Sequence, residues 1–294
     1  MQSKRIVFAL VVCLIFPVAR GASAQGLFEE EGGGSITLPA GAKVLHDLPY
    51  GSDPKQRIDV YLPAQPMAQA PVIFMVHGGG WRWGDKTNSR VVQNKIDHWL
   101  PKGFIFISVN NRLLPEADPL KQADDVAAAL AFAQREAPKW GGDPGKFILI
   151  GHSAGAHLVL LLAADPGAAE SSGAKPWLGT VSLDSGAIDV PRIMNNRHFR
   201  LYDQAFGKDP DYWHRASPLY RLKAGAAPML LVCSAQRQLS CPEADDMAAM
   251  AKLKGVTATV LKENLKHGQI NEELGLPGAY TEAVDAFVGG IMGR

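Results

Sequence analysis

From Pro71 to Leu261 the chain repeats one pattern, a short apolar run followed by a longer segment of helical composition. The runs are "PVIFMV", "GFIFISV", "KFILIG", "GTVSLD", "PMLLVC" and "VTATVL". Runs of this kind fit strands buried on both faces, a property of parallel sheets. Between them "LKQADDVAAALAFAQREA", "SAGAHLVLLLAA" and "PEADDMAAMAKLKG" have helical composition, and "YTEAVDAFVGGIM" closes the chain. Alternation of this sort over most of a chain predicts an α/β fold with a mostly parallel sheet.

Upstream, "KVLHDLPYG" and "QRIDVYLP" read as two short half-buried strands in a hairpin-like pair. No linker divides the remainder of the chain. The stretch 189–225 separates two strands and is rich in aromatics ("HFRLYDQAFG", "DYWHRASPLY"). It reads as a small cap insertion over the carboxyl edge of the sheet, where ligands of such sheets bind. The 294 residues carry a formal net charge of +1. That balance argues against nucleic acid or an anionic membrane surface as the main partner.

The first residues differ from the rest. Lys4 and Arg5 precede an apolar run from Ile6 to Val18, and "GASAQ" follows with Ala22 and Ala24 in the spacing of a cleavage site. A basic start, a short apolar run and an A-x-A site predict a signal peptide over 1–24, the alternative being a buried helix. The run is short for a membrane span. Val11 and Val12 before Cys13 do not supply the small residue a lipoprotein signal needs. The expected product is an exported soluble protein, a single domain over 25–294, with no span in its mature form. Its oligomeric state is left open.

"KFILIGHSAGAHL" places Gly151-His152-Ser153-Ala154-Gly155 between a strand and a helix. Glycines on both sides allow a strained turn that lifts the serine hydroxyl above the sheet edge. The helix after the serine points its amino end toward developing negative charge. "FMVHGGGWRWG" sets His77-Gly78-Gly79-Gly80-Trp81 at the end of an earlier strand, a glycine run suited to presenting N–H groups. Gly79, Gly80 and Ala154 are the candidate oxyanion-hole donors. The lysine-serine ending of a phosphate loop is absent. Trp81 is the candidate substrate-binding residue, the alternative being that it packs, with Trp83, under the loop.

With these motifs the chain resembles an α/β-hydrolase of the esterase/lipase group, near the HGGGW-bearing carboxylesterases, feruloyl-esterase-like proteins and arylformamidases. The likeness runs from "DLPYGSDPKQRIDVYLP" through "NNRLLPEA" and "GHSAGAHL" to "KHGQI". It implies a mostly parallel eight-stranded sheet flanked by helices, no metal or other cofactor, and an acyl-enzyme on Ser153. Such folds order their triad as serine, acid, histidine. Of the chain's 8 histidines, His267 follows the last predicted strand in "LKENLKHGQI", where the resemblance puts the general base.

The acid is out of place. Most of the family carries it just after the strand written here "PMLLVC", but Ser234 to Leu239 contain no carboxylate, and Arg237 there would oppose an imidazolium. Three repairs stay open. Asp184, at the end of "GTVSLD", resembles the earlier acid position of some lipases, and a triad is defined by geometry and roles. Glu243, Asp245 or Asp246 follow the loop, although "SCPE" reads as a helix start capped by Ser240, with Glu243 in its capping box. The third is that no acid exists. Asp184 is the first choice.

Cleavage of the signal leaves two cysteines, Cys233 and Cys241, which in an oxidising compartment predict one disulfide across a short loop. Two buried thiols are the alternative. The expected function is hydrolysis of a small-molecule carboxylic ester. An amidase or arylformamidase working through the same residues is one rival, and a binding protein that kept the fold without activity is the other.

Overall fold

The computed structural model describes residues 34–65 and 68–293; the predicted signal peptide lies outside them. Eight strands form one sheet: β1 (Lys43–Pro49), β2 (Arg57–Leu62), β3 (Ala70–Val76), β4 (Ile105–Val109), β5 (Gly142–His152), β6 (Gly179–Leu183), β7 (Met229–Ser234) and β8 (Ala258–Glu263). Their spatial order is β1-β2-β4-β3-β5-β6-β7-β8. β1 and β2 pair antiparallel, as the hairpin-like reading expects, and β2 also runs antiparallel to β4. All remaining neighbours are parallel.

β3 explains why the middle of the sheet reads as unbroken apolar runs. All its residues are buried, with Val72, Phe74 and Val76 in the core on one face and Ile73 and Met75 in the core on the other. A strand covered on both sides has no solvent face on which polar alternation could register. β8, at the edge, is half-buried, with Thr259 and Lys262 exposed.

The large helices lie between the strands. α1 (Ser89–Trp99) joins β3 to β4, α2 (Pro119–Glu136) joins β4 to β5, and α3 (Ala154–Ala164) with the short α4 (Pro166–Ser171) joins β5 to β6. The cap follows β6 as four short helices, α5 (Val190–Met194), α6 (Arg200–Phe206), α7 (Pro210–Arg215) and α8 (Pro218–Arg221). α9 (Ser240–Leu253), α10 (His267–Glu272) and α11 (Ala279–Ile291) complete the chain. α1 is absent from the sequence reading. Among the described residues no helix is long and apolar enough to cross a membrane.

The order of strands fixes where a ligand can sit. From β3 the chain steps to β4 on one side, then crosses back to β5 on the other. Loops leaving β3 and β5 therefore diverge and open a crevice at the carboxyl edge, the switch point of an open α/β sheet. Both glycine-rich motifs leave these two strands.

Cys233, in β7, is bridged to Cys241, in α9, with Cα atoms 5.1 Å apart. Closing a loop of 8 residues stabilises the fold by about 2 kcal/mol in the chain-entropy model. Replacing both cysteines by serine is accordingly expected to lower the melting temperature by several degrees. An unchanged midpoint in thermal unfolding would remove that contribution.

Candidate active site

Ser153 sits between β5 and α3 with φ 53° and ψ −116°, a conformation that a residue with a Cβ adopts only under strain. Its surroundings hold it there. The Ser153 N–H donates to the Leu183 carbonyl at 3.0 Å, and the Ser153 carbonyl accepts from the Gly186 N–H at 2.8 Å. The flanking glycines are sterically required: a Cβ on Gly155 would collide with the Val76 and His77 carbonyls, and one on Gly151 with the Gly155 carbonyl. Removing both side chains lets α3 run tight against the end of β3, aiming its amino terminus into the crevice.

His267 opens α10, and its imidazole faces the serine. The Ser153 hydroxyl donates to His267 Nε2 at 2.9 Å, and His267 Nδ1–H donates to Asp184 Oδ2 at 2.5 Å. The imidazole thus stands in line between a hydroxyl and a fully buried carboxylate. Its backbone carbonyl lies 3.0 Å from His152 Nε2, and the two rings are 4.7 Å apart. Burial, with the charges of His152 and Arg237, outweighs the hydrogen bond to Asp184 and brings the imidazole down to about 4.

Asp184 ends β6 with φ 47°. Its Oδ1 accepts from the Ser234 N–H at 3.0 Å and from the Ser240 hydroxyl. Its Oδ2 is shared by His267 and by Arg237 Nη1, which donates at 2.8 Å. Burial alone would raise this carboxyl, but the His267 hydrogen bond and the Arg237 charge overcome it and hold the group well below the usual carboxylate range.

The other candidate acids are engaged elsewhere. Glu243 is buried, accepts from the Ile188 N–H at 3.1 Å, and is pushed up to about 7 by that burial. Asp245 pairs with Lys262 at 2.8 Å and Asp246 with Arg192 at 2.6 Å, both on the surface. The capping-box reading of "SCPE" is corrected: Ser240 is the first residue of α9, not its cap, and its hydroxyl goes to Asp184. No side-chain hydrogen bond caps the start of α9.

A cavity of about 890 Å³ opens over Ser153 and His267, lined also by Gly79, Tyr202, Phe199 and Arg237. Gly79 and Gly80 both have positive φ (107° and 57°), which turns the loop after β3 back over the crevice. Ala154, the first residue of α3, follows Ser153 directly. Trp81 requires a correction. It is 1% exposed, donates from Nε1 to His157 Nδ1 at 3.1 Å, and packs edge-on against Tyr202 and Phe206 of the cap, beneath the cavity. Among the described residues no group of three or more His, Cys, Asp or Glu could hold a metal ion.

Arg237 opposes charge on the imidazole, as the sequence suggests, but it has a second role that the sequence does not show. Chain order puts it beside the imidazole as a conflict and gives no sign of its pairing with Asp184. A cation in a loop lacking a carboxylate is the available signal, since a buried acid on a neighbouring strand would attract one.

The family model described as BD-FAE matches residues 58–240, more than half of the chain. The chain belongs to that family. Among curated relatives, this BD-FAE chain is 27% identical over 170 residues to a probable isoprenylcysteine alpha-carbonyl methylesterase of Oryza sativa, covering 56% of itself and 40% of the relative. It is 26% identical over 266 residues to Esterase LipQ of Mycobacterium tuberculosis, covering 84% of itself and 62% of the relative. It is 27% identical over 154 residues to kynurenine formamidase of Danio rerio, covering 52% and 49%. The chain therefore spans about half the length of the curated relatives it matches. Among solved structures, a truncated carbohydrate esterase from gut microbiota superimposes with TM-score 0.73 at 18% identity, over 90% of this chain and 100% of that one. Esterase B from Lactobacillus rhamnosis follows at TM-score 0.71 and 19% identity, over 88% and 87%. These establish the α/β-hydrolase fold.

Trp81→Phe separates packing from substrate contact. Losing the indole N–H and part of the ring is expected to cost about 1–3 kcal/mol of stability, with KM for p-nitrophenyl butyrate unchanged. A raised KM at unaltered stability would return Trp81 to the substrate site.

Proposed function

We propose that this chain hydrolyses carboxylic esters through an acyl-enzyme on Ser153. The observation that carries the reading is the line from Ser153 Oγ through the His267 imidazole to Asp184, with spacings of 2.9 and 2.5 Å. Names of relatives and neighbours of the same fold support it.

In this reading Ser153 Oγ attacks the ester carbonyl while His267 Nε2 takes the hydroxyl proton. The carbonyl oxygen becomes an oxyanion, received by the N–H groups of Gly79, Gly80 and Ala154. Asp184 keeps the Nδ1–H tautomer in place and balances the imidazolium. The imidazolium then protonates the leaving alkoxide oxygen, and the alcohol departs. Water, losing its proton to Nε2, attacks the acyl carbon; the returned proton restores the Ser153 hydroxyl as the acid leaves. A formamide is the second substrate to test, favoured by the likeness to kynurenine formamidase. Export is part of the proposal and rests on the leader read in 1–24; the amino-terminal sequence of the protein recovered outside the cytoplasm tests it.

A fluorophosphonate probe is expected to label the wild type and not Ser153→Ala. Asp184→Asn is expected to lose roughly 10³–10⁴ in kcat/KM on p-nitrophenyl butyrate. A folded, fully active Asp184→Asn protein would exclude Asp184 as the acid. Because the imidazole accepts a proton only when neutral, kcat/KM should hold as pH falls and drop only on approaching about 4. An acid limb at the ordinary histidine value would contradict this.

A further inference from the structure

We propose that Arg237 is a positioning residue that acts through Asp184 and His267, keeping the imidazole neutral in acid so that ester hydrolysis persists there. The inference rests on the esterase reading for its consequence, and on the geometry for its cause.

Arg237 stands in the loop after β7 and lines the cavity over Ser153. Its Nη1 donates to Asp184 Oδ2 at 2.8 Å and lies 3.3 Å from His267 Nδ1. The side chain is 30% exposed, while its Asp184 partner is fully buried. A guanidinium stays charged at every pH at which a protein is folded. It therefore places a fixed positive charge within contact distance of the ring that must become positive during the reaction.

The carboxylate has three other donors besides Arg237. Oδ1 is held by the Ser234 N–H and the Ser240 hydroxyl, and His267 itself holds Oδ2. What Arg237 changes is charge. With Asp184 and a neutral imidazole alone the cluster would carry one negative charge; Arg237 brings it to zero and opposes a proton arriving from solvent. Catalysis tolerates this because the imidazolium of the transition state forms together with an oxyanion, whereas solvent protonation brings no such partner.

Other charged and titratable groups face the same cluster. His152 comes from the elbow, Tyr202 from the cap, Glu243 from α9, Lys266 and Glu272 from the imidazole's own loop and helix, and Tyr280 from α11. Glu243, raised to about 7 by burial, is protonated where the acid limb falls, so Glu243→Gln should leave that limb in place.

The test is the pH dependence of kcat/KM on p-nitrophenyl butyrate for wild type, Arg237→Gln and Arg237→Lys, beside NMR titration of histidine labelled in the ring, with His267 assigned from a His267→Gln spectrum. Removing the cation is expected to raise the acid limb and the His267 midpoint together by about one pH unit or more. The limb is read relative to each variant's own plateau near neutral pH, and Arg237→Lys should keep the low limb. A role confined to folding would move melting temperature and plateau but not the limb. Arg237→Met serves if Arg237→Gln does not fold. An unmoved limb and an unmoved NMR midpoint in a folded neutral variant overturn the proposal. Should the wild type hydrolyse no ester, the esterase reading fails, and the NMR midpoint alone still decides whether Arg237 holds the imidazole neutral.

Discussion

One buried carboxylate organises the functional half of this molecule. Asp184 has no exposed surface, and a buried ionised group persists only where enough donors replace the water it has lost. Four elements supply them: the end of β7 through the Ser234 N–H, α9 through Ser240, α10 through His267, and the intervening loop through Arg237. The stretch that lacks an acid is the cradle of the acid one strand away. The disulfide between Cys233 and Cys241 spans that stretch and limits how far its three donors can drift in the unfolded chain.

Opposite the carboxylate, the serine turn depends on close approach of backbones. α3 reaches its position because Gly155 presents no Cβ to the Val76 and His77 carbonyls. That contact ties the serine loop to the glycine loop, since both leave neighbouring strands where the sheet order reverses. The strain at Ser153 is held by hydrogen bonds to β6 and to Gly186, so the elbow, the acid strand and the cap entrance form one unit.

The cap shows how a motif can be recognised and its side chain still misjudged. Gly79 and Gly80 with positive φ reverse the loop, and Trp81, also at positive φ, 61°, turns down into the core. There it meets His157, Tyr202 and Phe206, so the tryptophan anchors cap to sheet. His157 extends the link by its contact with the Ala216 carbonyl at 2.7 Å. α1 escaped the sequence reading although Asn88 caps it and Val91, Val92, Ile96 and Trp99 mark its buried face. Lys95 falls on that face and breaks the apolar pattern; its ammonium is accommodated by the Asn271 carbonyl at 2.7 Å, a partner 176 residues away.

By itself the sequence determined the α/β class, the strand run, the serine turn with its two glycines and the placing of His267 after the last strand. Each of these is a local matter of periodicity, backbone freedom or chain order. Only the tertiary structure decided which carboxylate meets the imidazole, that Arg237 pairs with that carboxylate while opposing charge on the ring, and that Trp81 lies beneath the cavity. Those outcomes depend on which groups a buried charge or a buried ring finds across the fold, and sequence spacing carries no measure of that distance.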